Sequence, residues 1–520
     1  MIDVLPHKVK ITRKADRAKS MKIKIKQHLT PARAAQIEAA RHLIVVLPAM
    51  AKQGKLPAAP VCEVLREPLK RWPKDALSDG ELCLDLPNRS RSRISLAAID
   101  DHSPAFELLG LARKLLQPHL SQQPRRIDIH LPGLGETVAA RMAEALVAAA
   151  GAIKPLPDFK RKSRPAPKLD SLSIYNLPAR QNFKPTLAGA AGNNLARELT
   201  ALPPNHLTPA LYLKRVRQLA REHGWRLEFL DMPTLKKRKA GAFVAVAQGS
   251  PSPDAGIVHL RYTPAKKSNK PACALIGKGI CFDTGGMNLK PARYMHGMHE
   301  DMEGSAVALG TLLALTELQV DFPVDCWLAL AQNHIGPKAY KQNDIVVASN
   351  GTSIEIVHTD AEGRMVLADT LAFAAKKKPA LMIDYATLTG ACVYALGTSY
   401  SGAFSNRDDL IDDIIEAGRN SGERVWPFPL DKDYDKALQS TVADIKQCTL
   451  EGEADHILAS RFLSRFVDDT PWLHVDLSAG NSKGGLAHIP TDITGFGVRF
   501  TLDLLLKQKV LQDRKKLSAK

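Results

Sequence analysis

No stretch of this 520-residue chain runs for the roughly 18–20 apolar residues that a membrane-spanning helix needs. The nearest candidate, Val138 to Ile153, is interrupted by Arg141 and Glu144 and reads as an amphipathic helix. A membrane span is thereby excluded as an expectation, and an apolar content of 45% suffices for a sizeable soluble core. Cysteine is also sparse. Cys62, Cys83, Cys273, Cys281, Cys326, Cys392 and Cys448 are odd in number, scattered and without CxxC spacing. That pattern fits reduced thiols in a cytoplasmic protein, and none stands out as a nucleophile. The segment Met1 to Lys10 lacks the apolar region of a secretory signal. Arg13 to Lys26 is basic like a mitochondrial presequence, but Asp16 and its few serines weigh against that reading. Repeats and low-complexity tracts are absent.

Acidic residues are scarce in the first third alone. Up to Ala190 there are 33 Lys and Arg against 17 Asp and Glu, a balance of +16 out of the total +18. From Ala191 onward the numbers are 39 and 37, nearly neutral. Such a basic surface can attract nucleic acid. No nucleic-acid-binding motif accompanies the charge, so a solvated surface is the simpler reading.

At this length two domains are expected. The segment 155–190, with Lys160, Arg161, Lys162, Arg164, Pro165 and Pro167, reads as an exposed linker. It separates a basic N-terminal domain, 1–154, from a larger one, 191–510, with a basic tail at 511–520. In the first domain a strand at Ile127–Leu131 precedes a helix from about Val138, which suggests an α/β unit. In the second, strand-like runs at Ala272–Ile276, Cys326–Ala331, Ile354–Val357, Leu381–Ala386 and Leu473–Leu477 alternate with helical patterns such as Gly304 to Leu318 and Met365 to Ala375. The pattern predicts an α/β sandwich around a mixed, largely parallel sheet. Ligands of such sheets sit beyond the carboxyl ends of the strands. Lys278 and Asp283 are expected to follow one strand, Asp360 and Glu362 another.

Those positions belong to two motifs. The first is Gly277-Lys278-Gly279-Ile280-Cys281-Phe282-Asp283-Thr284-Gly285-Gly286, continuing through Lys290 to Asp301-Met302-Glu303-Gly304. The second is His358-Thr359-Asp360-Ala361-Glu362-Gly363-Arg364. Carboxylates gathered among glycines repel one another unless positive charge lies between them. Asp283, Asp301, Asp360 and Glu362 carry four negative charges, which two divalent cations balance, with Glu303 left over. Two such ions can bridge a water, lower its pKa and deliver hydroxide to a carbonyl. Lys290 and Arg364 could then stabilise the tetrahedral intermediate. Binding of a peptide's α-amine to one metal would direct cleavage to the N-terminal residue. The first motif lacks the G-x-x-x-x-G-K-[ST] spacing of a phosphate loop. A purely structural salt-bridge network does not account for so many glycines around so many carboxylates.

Taken together the motifs resemble the leucyl (cytosol) aminopeptidase family, whose signatures run GKGxxFDxGGxxxK and NTDAEGR. The likeness extends from about Asn194 to Leu505, through Leu202-Pro203-Pro204-Asn205, Ala386-Thr387-Leu388-Thr389-Gly390-Ala391, Arg424-Val425-Trp426 and Thr494-Gly495-Phe496-Gly497. It is weak or absent before that. The resemblance implies that Lys278, Asp283, Asp301 and Glu362 hold one metal, and that Asp283, Asp360 and Glu362 hold the other. It implies that Lys290 polarises the scissile carbonyl, and that Arg364 anchors a bicarbonate ion as general base. Met298, Thr387, Leu388, Gly390 and Ala479 fall near positions that line the pocket for the substrate's first side chain. Their small or apolar character hints at neutral N-terminal residues. Zinc or manganese is the foremost expectation for the metals, with magnesium or cobalt as alternatives. The resemblance further implies peptide substrates and a cytosolic homohexamer.

The chain departs from the family pattern at His296, Glu303, His334, His358 and the segment Glu453-Ala454-Asp455-His456. None of these removes an implied ligand, so they bear on preference rather than on the reaction. His296 and His299 lie close to Asp301 but are not needed as ligands, because the carboxylate set is complete without them. A catalytically inert scaffold is the remaining alternative, and the presence of both Lys290 and Arg364 argues against it.

Overall fold

The computed structural model describes residues 23–70, 77, 80–162, 165–266, 268, 270 and 272–511. The presequence-like stretch before residue 23 and the basic tail from 512 lie outside the described residues.

The first sheet is built from β1 (Lys24–Gln27), β2 (His42–Pro48), β3 (Glu81–Asp85), β4 (Arg93–Ile99), β5 (Arg126–His130) and β6 (Ser171–Tyr175). Their spatial order is β1-β6-β5-β2-β4-β3, parallel except for the edge pair β3–β4. β2 reads His-Leu-Ile-Val-Val-Leu-Pro, the continuous apolar run of a parallel strand covered on both faces. Ile44 and Val46 pack under the helices Ala105–Leu120 and Glu136–Gly151, while Leu43, Val45 and Leu47 pack against Pro60–Lys70. The structure differs from the sequence-based expectation at 155–190. That segment contains β6, inserted between β1 and β5, and the start of a helix at Lys184–Thr200. The short alternating run Ser-Leu-Ser-Ile-Tyr is outweighed in composition by the Pro, Lys and Arg preceding it, which is why it reads as linker.

The second sheet comprises β7 (Arg226–Asp231), β8 (Gly256–Tyr262), β9 (Cys273–Asp283), β10 (Val324–Asn333), β13 (Leu381–Ala386), β14 (Ser401–Ser405), β15 (Val425–Pro427) and β17 (Trp472–Asp476). The intervening β11 (Ile345–Val347), β12 (Ser353–Glu355) and β16 (Ile445–Lys446) form a small sheet of their own. The order of the large sheet is β15-β14-β17-β13-β9-β10-β8-β7. Its four central strands, β17, β13, β9 and β10, are parallel, whereas β14, β8 and β7 join through antiparallel pairs. This is the mixed α/β sandwich the sequence pattern predicts.

Alternation along β9 shows how the two layers form. Cys273, Leu275 and Cys281 enter one core, and Ala274, Ile276 and Ile280 the other. The helices Lys184–Thr200, Glu303–Glu317 and Val498–Leu506 cover the first face. Gly241–Ala247, Glu362–Ala375 and Asp455–Leu463 cover the second. The helices at 184–200 and 303–317 cross at a pair of glycines. A Cβ on Gly192 would lie 2.3 Å from the carbonyl oxygen of Gly310. Because the obstacle is backbone, Gly192→Ala forces the helices apart. It is expected to cost about 1–3 kcal/mol in urea unfolding, as overpacked cores do. Among the described residues no helix is long and apolar enough to cross a membrane.

Candidate metal centre

The sequence pattern ends a strand at Ile276, but β9 continues to Asp283. Lys278 therefore lies within the strand rather than after it. The extension is possible because Gly277 has no side chain: a Cβ there would sit 2.4 Å from Cα of Ser305, at the start of the helix Glu303–Glu317. Lys278 is buried on the opposite face, and its Nζ lies 2.8 Å from Asp301 Oδ1 and 2.8 Å from Glu362 Oε1. It also donates to the carbonyl of Thr387 at 2.9 Å. Gly363 makes room for this lysine, since a Cβ there would meet Nζ at 2.7 Å.

Asp283 closes the strand. Its Oδ1 accepts from Asn333 Nδ2 at the end of β10 and from the Gly285 N–H, both at 2.8 Å. The loop beyond it turns sharply through Gly285 and Gly286, at φ 86° and 67°, conformations that favour glycine. The turn brings Lys290 back, with Nζ 3.0 Å from Asp283 Oδ2 and ion-paired to Asp360. Thr359 ties this loop to the second motif. Its hydroxyl donates to Gly285 O at 2.6 Å, its N–H donates to Asn288 Oδ1, and its carbonyl accepts from Tyr340 and Asn333. Asp301 precedes the helix Glu303–Glu317, and Glu362 begins the helix Glu362–Ala375. Thr387 holds Asp301 Oδ1 at 2.8 Å, and Asp301 Oδ2 has no hydrogen-bond partner.

The structure thus brings together all five sequence-predicted ligands and both sequence-predicted catalytic cations around one cavity of about 780 Å³. Burial pushes the carboxyls of Asp283, Asp301 and Asp360 above their usual range. Repulsion among Asp283, Asp301, Asp360 and Glu362 adds to the effect, and Lys278 and Lys290 oppose it. Burial works to lower Lys278 and Lys290, but the surrounding carboxylates prevail and raise both. Four carboxylates against two ammoniums leave an excess of negative charge. Ligand atoms of Asp283, Asp301 and Glu362 lie within 4.8 Å of one another. That spacing, the excess charge and the orphaned oxygen of Asp301 fit a site for divalent cations.

Met298, Thr387, Leu388 and Gly390 line the same cavity, as do His296, His299 and His358. Ala479 departs from the expectation. It is buried behind the wall, with its N–H bonded to Ser401 Oγ, while Ser478 and Asn481 face the cavity instead. Two further residues went unremarked in the sequence. Asp476, at the end of β17, accepts from the N–H groups of Leu388 and Thr389 and from the Thr389 hydroxyl, fixing the 387–390 loop. Tyr340 braces Thr359 from below. A lone Asp after an apolar strand carries no distinguishing signal.

Two departures also take on definite places. Glu303 lines the cavity while remaining buried, and burial together with the neighbouring Glu300 pushes its carboxyl up to about 8. Arg364 is buried, with Nη2 2.8 Å from Asp455 Oδ1 and Nη1 3.0 Å from Gln447 O. A side-chain carboxylate thus takes one end of this guanidinium, while its Nε is buried without a partner.

A sheet with mixed edges, covered on both faces and carrying this cluster at its carboxyl edge, defines an α/β protein of leucine aminopeptidase architecture. A solved structure of a tomato leucine aminopeptidase variant matches it with a TM-score of 0.83 at 28% identity, over 95% of this chain and 98% of that one. Residues 194–502 match the catalytic domain of the cytosol aminopeptidase family. A probable cytosol aminopeptidase of Polaromonas sp. is 38% identical over 81% of this chain and 82% of its own length. One from Rhodopseudomonas palustris strain BisB18 is 43% identical over 63% of this chain, a stretch that spans 65% of that relative. The chain belongs to the cytosol aminopeptidase family.

Proposed function

We propose that this protein is a metal-dependent aminopeptidase that removes N-terminal residues from unblocked peptides. The observation that carries this is the buried cluster of Asp283, Asp301, Asp360 and Glu362 around Lys278 and Lys290. Lys278, Asp283, Asp301 and Glu362 would hold one divalent ion, and Asp283, Asp360 and Glu362 the other, with zinc or manganese the natural occupants. Such a pair supplies a water of lowered pKa and a Lewis acid at the carbonyl. Lys290 is placed to leave its carboxylate partners and donate to the scissile carbonyl oxygen as negative charge develops on it. Asn333, Thr359 and Thr387 hold the carboxylates in register, so the geometry is set before substrate enters. The family and the likeness to tomato leucine aminopeptidase support the same reading; a cytosolic homohexamer is what the sequence resemblance implies.

The resemblance implies a bicarbonate ion on Arg364, but Asp455 already pairs with that guanidinium and competes with the ion for it. Activity is therefore expected to be the same in bicarbonate-free buffer as with bicarbonate added. Asp455→Ala is expected to lower activity and to make it respond to bicarbonate. A native enzyme that needs the added ion would contradict this.

Basic side chains of the first domain are partly spent on ion pairs: Lys52 with Asp100, Arg93 with Asp85, and Arg126 with Asp128. Binding of nucleic acid there is a separate proposal, to be judged by whether affinity for duplex DNA falls steeply with salt. The aminopeptidase reading is tested by hydrolysis of Leu-p-nitroanilide and of Lys- and Arg-p-nitroanilide with Mn²⁺ or Zn²⁺ present. Metal-dependent release that chelator abolishes supports it. Failure with all these substrates and with short peptides under either metal overturns it.

A further inference from the structure

Glu303 is the acidic residue of the first motif that the metal set leaves over. It opens the helix Glu303–Glu317 and lines the cavity that Met298, Thr387 and Gly390 also line. The residue is only 1% exposed. Its Oε2 lies against Gly480, where a Cβ would sit 2.3 Å away, and the Gly495 backbone donates to the carboxyl. The other oxygen, Oε1, is buried without a partner. The charged neighbour acting on it is another carboxylate, Glu300, which itself accepts from Asn481 at 2.7 Å on the cavity wall. The three buried cations of the site are already engaged elsewhere: Lys278 by Asp301 and Glu362, Lys290 by Asp283 and Asp360, Arg364 by Asp455.

A buried carboxyl group on the cavity wall, with one oxygen unpartnered and a second carboxylate beside it, has a place for a positively charged donor. We propose that Glu303 receives the cationic side chain of a substrate's N-terminal residue, so that the protein prefers peptides beginning with lysine or arginine. This rests on the aminopeptidase reading, since the pocket selects a side chain only if the α-amine is held at the metal centre. The long stem of lysine or arginine lies along Met298 and Leu388, and the charged head reaches Glu303, with Glu300 and Asn481 beside its path. The small and apolar walls alone would suit neutral residues; the carboxylate inverts that preference. A neutral side chain of the same length brings Glu303 no donor, so Oε1 stays unpartnered and the ion pair is not gained.

The test compares kcat/KM of the metal-loaded full chain for the p-nitroanilides of lysine, arginine, leucine and norleucine. Norleucine keeps the lysine stem without its ammonium. Lysine is expected to exceed norleucine by roughly 10- to 100-fold, the range of one well-placed charge pair. In Glu303→Gln, which keeps the shape, and in Glu303→Gly, that ratio is expected to collapse towards or below one. Preference for leucine or norleucine in the native protein, or a ratio unchanged in both variants, overturns the inference and leaves the aminopeptidase reading standing. No turnover of any of the four, nor of short peptides, under either metal overturns both.

Discussion

Glu362→Ala is expected to lower kcat/KM for every substrate by at least about 10³-fold, a loss no smaller than that from removing one electrostatic stabiliser of a transition state. Glu362 is assigned to both metal positions, and its side chain is buried beside Lys278. Its loss removes a negative charge from the cluster proposed to hold the divalent ions. It also leaves the Lys278 ammonium to Asp301 alone and weakens the support of the second ligand set. Lys290→Ala should behave differently. That lysine is assigned to the substrate's carbonyl, so kcat should fall by roughly 10²–10³-fold while metal content persists. Comparing bound metal with kcat in the two variants separates the roles. Equal metal loss in both would contradict the division of labour between Glu362 and Lys290.

Asp384→Ala is expected to destabilise the protein by about 3–5 kcal/mol, the cost of breaking a buried polar network by removing one partner. Asp384 is buried within β13. There it accepts from Trp472 Nε1 at 2.5 Å and pairs with His474 Nδ1 at 2.7 Å, both on the adjacent strand β17. Burial tends to lower the pKa of His474, but Asp384 outweighs it and the net shift is upward. A histidine raised in the folded state contributes stability that is fully present below its unfolded value, roughly 6.5. That contribution is lost as pH rises through the folded pKa. Urea midpoints across this window should therefore fall with rising pH in the native protein, and Asp384→Asn should flatten that component. A midpoint unaffected by Asp384→Ala would show that the network is dispensable.

How much of this was legible in the sequence differs sharply between the site and its setting. Lys278, Asp283, Lys290, Asp301, Asp360, Glu362 and Arg364 announce themselves because charged groups at fixed spacing among glycines are rare without a chemical reason. β13 could be read at its observed bounds because Leu381–Ala386 is a compact apolar run. β9 was cut short because Gly-Lys-Gly looks like a loop when the helix pressed against Gly277 is out of view. β6 was hidden by its basic, proline-rich approach. The partners that hold the site in place, Asp476 and Tyr340, come from distant parts of the chain. No local pattern marks a residue whose meaning lies in a contact across the fold. Glu303 shows the intermediate case. Its oddness is visible as an unassigned acid, but only the cavity reveals which way it faces.

The proposed function requires the buried carboxylates to hold a pair of catalytic divalent ions. The direct measurement is the metal content of the full chain after loading with Mn²⁺ or Zn²⁺ and gel filtration, by elemental analysis, alongside Leu- and Lys-p-nitroanilide turnover. Two ions per native chain are expected, with activity rising and falling with occupancy, and a loss of both in Glu362→Ala. A protein that hydrolyses these substrates at full rate with no bound metal, or that binds the ions equally well without Glu362, would contradict it.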